Sequence, residues 1–249
     1  MLTWMKTYVS TKSRAWRAQL FKQVLNPPDD ASLLDLGGGK GTHMARFYPA
    51  AKNVHIADFN PEALAYARVN YGFTPHLVDG GNRLPFSDGQ FDVVFCSSVI
   101  EHVTGEKHAA ARTFKKDGRK FKTEAYELQK RFASEIRRIG KRYFVQTPAR
   151  SFPVETHSWI PLIGIFPSHW QWRVMRLVNR LPYPRKQTMP DWSLLSFDEF
   201  RSLFPDAQIY RERVLGLTKS FIAVGGPAEE RPSSPDAAKQ GKMPIQATA

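Results

Sequence analysis

The stretch that most constrains this chain is Asp35-Leu36-Gly37-Gly38-Gly39-Lys40-Gly41. It ends the short apolar run 32–36 and precedes residues 42–48, which read as a helix. Glycine lets a backbone turn sharply and lets a ligand approach with no Cβ in the way. A glycine turn between a buried strand and a helix marks the carboxyl edge of a parallel sheet, where open α/β sheets bind ligands. The spacing argues against two common uses. A dinucleotide fingerprint needs glycine at position 42, which is Thr42, and a phosphate loop needs Ser or Thr after Gly-Lys, where this chain has Gly41.

The flanking sequence alternates strands with helices. A helix is predicted over 12–26, with Trp16, Leu20, Phe21, Val24 and Leu25 on one face, ended by Asn26-Pro27-Pro28. Strands follow at 54–58, 75–79 and 91–97, the last rich in Val and Phe and so buried on both faces. Asn60-Pro61-Glu62 opens a helix to about residue 70, with an N-cap, a first-position proline and a first-turn acid. Residues 104–122 interrupt the alternation as a basic, glycine-containing segment. A helix over 123–139 then leads to a strand at 143–146. A capping box from Ser196 to Glu199 starts a helix to 204, and strands at 208–214 and 221–224 run antiparallel about Gly216. This order gives an α/β fold with a doubly wound, mostly parallel, seven-stranded sheet. Five parts follow: an N-terminal helical segment (1–30), a ligand-binding core (31–147), an aromatic and Pro-rich cap (148–195), a helix and strands completing the core (196–226), and a tail (227–249) whose composition predicts disorder.

Two acids close successive strands beyond the glycine turn. Asp58 ends the second and can accept from both hydroxyls of a ribose, and Asp79 ends the third, where it can accept from an adenine amino group. Over residues 32–101 the chain resembles the class I S-adenosylmethionine (SAM) methyltransferases. Asp35 to Gly41 looks like their first motif, Asp58 like their ribose acid, Asp79 like their adenine-side acid, and Phe91-Asp92-Val93-Val94 like their fourth-strand motif. Leu84-Pro85-Phe86 ahead of Asp88 is similar to the type 11 subgroup. The resemblance implies a Rossmann-like fold and SAM as cofactor. It implies that Asp35 orients the loop and the methionyl amine, and that Gly37, Gly39 and Gly41 line the methionine and ribose. It adds Phe59 and Gly80, which follow the two acids, and Ser97 at the end of the fourth strand. Segments at 144–157 and 217–220 are similar to bacterial methyltransferases of poorly defined substrate, so the likeness extends over roughly 30–225.

Methyl transfer from a sulfonium is an in-line displacement, and a hydroxyl acceptor also needs its proton removed, commonly by His, Asp or Glu. Glu101 and His102, just past the fourth strand, are one candidate pair, with capping or loop support as the alternative. Glu155 and His157 are the other; they alternate, so an extended backbone puts both on one side. They are too few to claim a metal. The Asp/Asn-Pro-Pro-Tyr/Phe signature of amino-group methylation of nucleobases is absent, and Cys96 lacks the preceding proline of a pyrimidine C5 enzyme. The apolar segment 159–167, beside Trp170 and Trp172, either covers the substrate pocket or touches a membrane interface.

Charge leaves a second reading open. The net charge is +13, and residues 105–142 hold 13 Lys/Arg against 5 Asp/Glu. That is either a solvated helical face or a surface for nucleic acid or anionic lipid. The expected function is therefore methyl transfer to a hydroxyl of a small molecule, such as a sugar, glycolipid or lipid-linked intermediate. The alternatives are an RNA methyltransferase and a SAM-binding module without catalysis. One cysteine, no apolar run of about 20 residues and no signal-like segment lead to a cytoplasmic expectation.

Overall fold

The computed structural model describes residues 2–79, 83–153, 168–178 and 191–226. In it a seven-stranded sheet has the order β3-β2-β1-β4-β5-β7-β6. The strands are β1 (Leu33–Leu36), β2 (Val54–Asp58), β3 (Thr74–Leu77), β4 (Phe91–Ser97), β5 (Gly140–Pro148), β6 (Gln208–Val214) and β7 (Leu217–Gly225). β1 to β5 are mutually parallel, while β7 runs antiparallel to both β5 and β6. The β6–β7 hairpin turns through Leu215 and Gly216, both with positive φ (51° and 80°), the conformation a two-residue type I′ turn demands.

Period-2 alternation divides the core between two faces of the sheet. Leu33, Val93, Phe95 and Phe144 face one side, under α1 (Leu2–Val24), α2 (Thr42–Phe47) and α3 (Pro61–Tyr71). Leu34, Val94, Cys96 and Val145 face the other, under α5 (Gly118–Ile139) and α7 (Phe197–Leu203). With both faces covered, the central strands must be apolar throughout. On the first side Phe21 of α1 meets the rings of Phe47, Phe95 and Phe144 at 5.2, 6.1 and 5.5 Å. This aromatic contact fixes α1 across the sheet.

Several elements differ from the sequence reading. α1 starts at Leu2, because nothing before Asn26 breaks a helix although its apolar periodicity is confined to the second half. The segment 104–122 is not an irregular interruption. It forms α4 (Lys107–Lys116), which ends at Asp117, and the first turn of α5, for which Asp117 is the N-cap, accepting from Arg119 and Lys120 backbone amides. Lys and Arg are good helix formers, and Ala110, Phe114 and Phe121 give the pair its own small core. β3 stops at Leu77, two residues short of Asp79. Within the expected irregular cap, Ser168–Val178 is a helix, α6. The remainder of 154–190, and the tail beyond 226, lie outside the described residues.

Candidate active site

The glycine turn sits at the carboxyl edge of β1, between β2 and β4. Gly37, Gly39 and Gly41 all have positive φ (76°, 55° and 70°). A Cβ on Gly38 would overlap the Asp35 carboxylate, whereas one on Gly39 would meet only Asp58 Oδ2, at 4.0 Å. The turn thus closes over Asp35 and stays open beside Asp58. Asp58 holds the arrangement: Oδ2 accepts from the Gly39 amide (2.9 Å) and Oδ1 from the Asn60 amide (3.0 Å). Phe59 beside it is 78% exposed and offers an uncovered apolar ring.

Asp35 is buried, and its Oδ2 has no hydrogen-bond partner. Burial, and then the charge of Asp58, push its pKa up to about 7. A desolvated carboxylate with a lone oxygen, facing a second carboxylate, lacks a cation. The ammonium of an amino acid supplies one. The orphaned Asp35 oxygen, the Asp58 carboxylate and the open Gly39 backbone therefore fit a ligand carrying both an amino-acid end and a ribose. Asp79 lies in the loop after β3, exposed, and Gly80 is outside the described residues.

A second polar group adjoins the turn at the tips of β4, β5 and β7. Phe21, Arg17 and Ser13 follow at four-residue spacing on one face of α1, from the aromatic core to this edge. Arg17 donates to Gln146 Oε1 (2.8 Å) and to Ser97 Oγ (3.3 Å), and its Nε lies 3.0 Å from Glu212 Oε2. Lys219 donates to Ser13 Oγ (2.6 Å) and pairs with Glu212 Oε1 (3.2 Å). Burial draws Lys219 below the usual ammonium range, with Glu212 opposing that and Arg17 adding to it. One buried carboxylate therefore serves two cations. Ser97 and Ser98 also donate to Gln146 Oε1, at 2.7 and 3.1 Å. Three donors on an oxygen with two lone pairs leave one hydroxyl to turn elsewhere. Ser98 has φ 58°, a strained value for a non-glycine residue at the strand tip.

His43, in the first turn of α2, packs edge-on to Phe95 (5.7 Å), and its buried Nε2 has no partner. Burial, then Arg17 and Arg14, lower its pKa to about 4, so the imidazole is neutral. Arg17, His43, Glu212 and Lys219 were not singled out by the sequence reading as site residues. The legible signal was the place of Arg17 one turn before Phe21 and of His43 two residues after Gly41.

The expected acid–base residues fare differently. Glu101 lies in a single 3₁₀ turn (Ile100–His102), fully buried; Oε2 accepts from Thr147 Oγ1 (2.9 Å) and its carbonyl accepts from the Ser193 amide (2.8 Å). Glu101 thus braces β5 against residues 191–195. Its neighbour His102 turns the other way, 39% exposed, with Nδ1 3.9 Å from Asp191 Oδ1. Ser97, expected on the cofactor, engages Arg17 and Gln146. Glu155 and His157 lie outside the described residues. Among the described residues no cluster of metal-ligating side chains forms.

Residues 34–121 match the family model described as a methyltransferase domain. No curated protein matches in sequence. Among solved structures, a possible exported protein of Bordetella parapertussis is 14% identical over 86% of this chain and 67% of its own, with a TM-score of 0.51, and shares the fold. A Pyrococcus horikoshii protein is 13% identical over 84% and 86% (TM-score 0.49). The magnesium protoporphyrin IX methyltransferase of Synechocystis, solved with bound S-adenosylhomocysteine, is 16% identical over 89% and 83% (TM-score 0.46). The family match and the strand-tip carboxylates coincide over residues 34–121, the stretch in which this chain is similar to a methyltransferase domain.

Proposed function

We propose that the chain transfers the methyl group to a hydroxyl of a small or lipid-linked polar acceptor. The observation that carries this reading is the enclosed polar cage at the β4–β5–β7 tips: α1 lays Ser13 and Arg17 over Ser97, Gln146 and Lys219 directly beside the glycine turn. A cage of that kind suits a compact polar group better than a stacked base, and the nucleobase amino-methylation signature is absent from the sequence.

When bound, SAM supplies a methyl on a sulfonium, an electrophile that needs no further activation. Asp58 would hold the ribose hydroxyls, Asp35 the ammonium, and the Gly39 backbone would let the ligand approach. Alignment then supplies much of the rate. The spare hydroxyl of Ser97 or Ser98 and the neutral His43 Nε2 orient the acceptor; Nε2 accepts a hydrogen bond in the tautomer protonated at Nδ1. We place the proton acceptor at His102 or at the Glu155–His157 pair.

An acceptor screen with methyl-labelled SAM against fractionated metabolite and lipid extracts tests the reading. Label should enter a hydroxyl-bearing compound, and transfer confined to RNA would overturn it. Isothermal titration should show SAM binding that falls at least tenfold in Asp58→Ala, which removes the carboxylate that accepts from two backbone amides and the ribose partner together. The RNA reading rests on the basic helices α4 and α5; affinity for RNA that drops steeply with salt would favour it.

A further inference from the structure

The polar cage carries more positive charge than its own residues cancel. Arg17 and Lys219, with side chains 10% and 11% exposed, share one carboxylate, Glu212, at 1%. Arg14, one turn before Arg17 on α1, is exposed, and no hydrogen bond or ion pair joins it to another described residue. Its charge nonetheless reaches the cage, because it lowers the pKa of both His43 and Lys219, as Arg17 does. Three cations therefore stand against one carboxylate, around an imidazole held neutral. Charge taken out of water without a counter-charge is costly, and an anion placed beside it offsets that cost.

The hydrogen-bond donors of these cations are only partly used. Arg17 bonds Gln146 and Ser97 through Nη1 and pairs with Glu212 through Nε, which leaves the two N–H groups of Nη2 with no acceptor among the described residues. Lys219 has three N–H donors and bonds Ser13 and Glu212. His43 Nε2, buried beside them, has no partner either. Guanidinium and ammonium groups with spare donors suit the oxygens of a carboxylate or a phosphate. We propose that the acceptor carries, beside its hydroxyl, a compact oxyanion (a carboxylate or a phosphate monoester) that seats on Arg17 Nη2, Lys219 and Arg14 while the hydroxyl donates to His43 Nε2. This rests on the reading of a hydroxyl acceptor and narrows it to hydroxy acids and phosphorylated alcohols. The oxyanion passes through the transfer unchanged; it anchors the molecule so that the hydroxyl has one direction to point. A neutral sugar would leave the excess charge where it is. An RNA backbone suits the site less well, because two of the three cations are buried.

Titration calorimetry of the full chain, with and without S-adenosylhomocysteine, tests this with glycolate, glycerol phosphate and, as the neutral arm, glycerol. At least one anion should bind at least tenfold more tightly than glycerol, and the tighter of the two tells carboxylate from phosphate. In nitrogen NMR that anion should shift the His43 Nε2 signal, which places it in the cage. Lys219→Met should weaken it at least tenfold. Arg14→Gln, a change at an exposed position, should weaken it about threefold. S-adenosylhomocysteine affinity should match wild type in both variants, which separates a loss of the seat from a loss of the fold. Neither anion binding better than glycerol, an unmoved His43 signal, or wild-type anion affinity in either variant overturns the proposal. The labelled products of the acceptor screen, passed over an anion-exchange resin at neutral pH, separate this proposal from the one it rests on. A labelled ether held by the resin is expected. A labelled ether that passes through overturns the oxyanion and leaves the hydroxyl acceptor standing, whereas label confined to RNA overturns the hydroxyl acceptor itself.

Discussion

Asp35 makes a prediction that can be worked through. Its carboxyl is pushed from 3.8 to about 7 by burial and by Asp58. That shift corresponds to about 4 kcal/mol favouring the protonated form in the free fold. The folded-state pKa lies above the unfolded one, the reverse of an ordinary paired aspartate. The contribution to stability is therefore fully present below about pH 4 and is lost as pH rises through about 7. Asp35→Asn, neutral at every pH, removes this dependence. In urea unfolding the difference between wild type and variant should change by about 4 kcal/mol between acid and mildly alkaline solution, with the variant relatively more stable at high pH. A bound ammonium reverses the balance, because it favours the ionised carboxyl. Below pH 7 binding must expel a proton, so affinity for S-adenosylhomocysteine, which keeps the amino-acid end, should fall about tenfold per pH unit there. Titration calorimetry in buffers of different ionisation enthalpy counts that proton. A wild-type affinity flat from acid to neutral pH with no proton released, or the same pH profile in Asp35→Asn, would refute the assignment of Asp35 to the amine.

Other residues give sharper single outcomes. Phe21→Ala should cost about 3–5 kcal/mol in denaturant unfolding, since it empties the contact that seats α1 on Phe47, Phe95 and Phe144; a loss under 1 kcal/mol would mean that α1 is held elsewhere. Glu101→Gln should lower stability by about 1–3 kcal/mol by disturbing its bond to Thr147, while S-adenosylhomocysteine affinity stays at the wild-type value. Lys219→Met should raise the acceptor KM with little change in cofactor affinity, since Lys219 bonds Ser13 and Glu212 in the polar cage; an equal loss of both would put Lys219 in the cofactor site instead.

Much of the fold was legible because its signals are local. The glycine turn, the Asn60-Pro61 helix start and the Ser196–Glu199 capping box each act within a few residues, and each forms as read. β4 is apolar on both faces because helices cover both. Reading failed where tertiary contacts decide. Helix α4 and the first turn of α5 look like a charged interruption until Phe114 and Phe121 are seen to share a core with Trp172. The same divide runs through the site. Asp35 and Asp58 announce themselves by position at strand ends. The polar cage does not, because Arg17 and Lys219 are 202 residues apart in the chain and meet only through Glu212. Glu101 and His102 are neighbours in sequence, but the tight turn that holds them sends one side chain inward and the other toward Asp191.

The most direct test is a crystal structure with S-adenosylhomocysteine. The ribose should contact the Asp58 carboxylate, the backbone at Gly39 should touch the ligand, and the amine should lie against Asp35. Ligand density in a different cavity, or a glycine turn that stays filled by the protein's own side chains, would contradict the account.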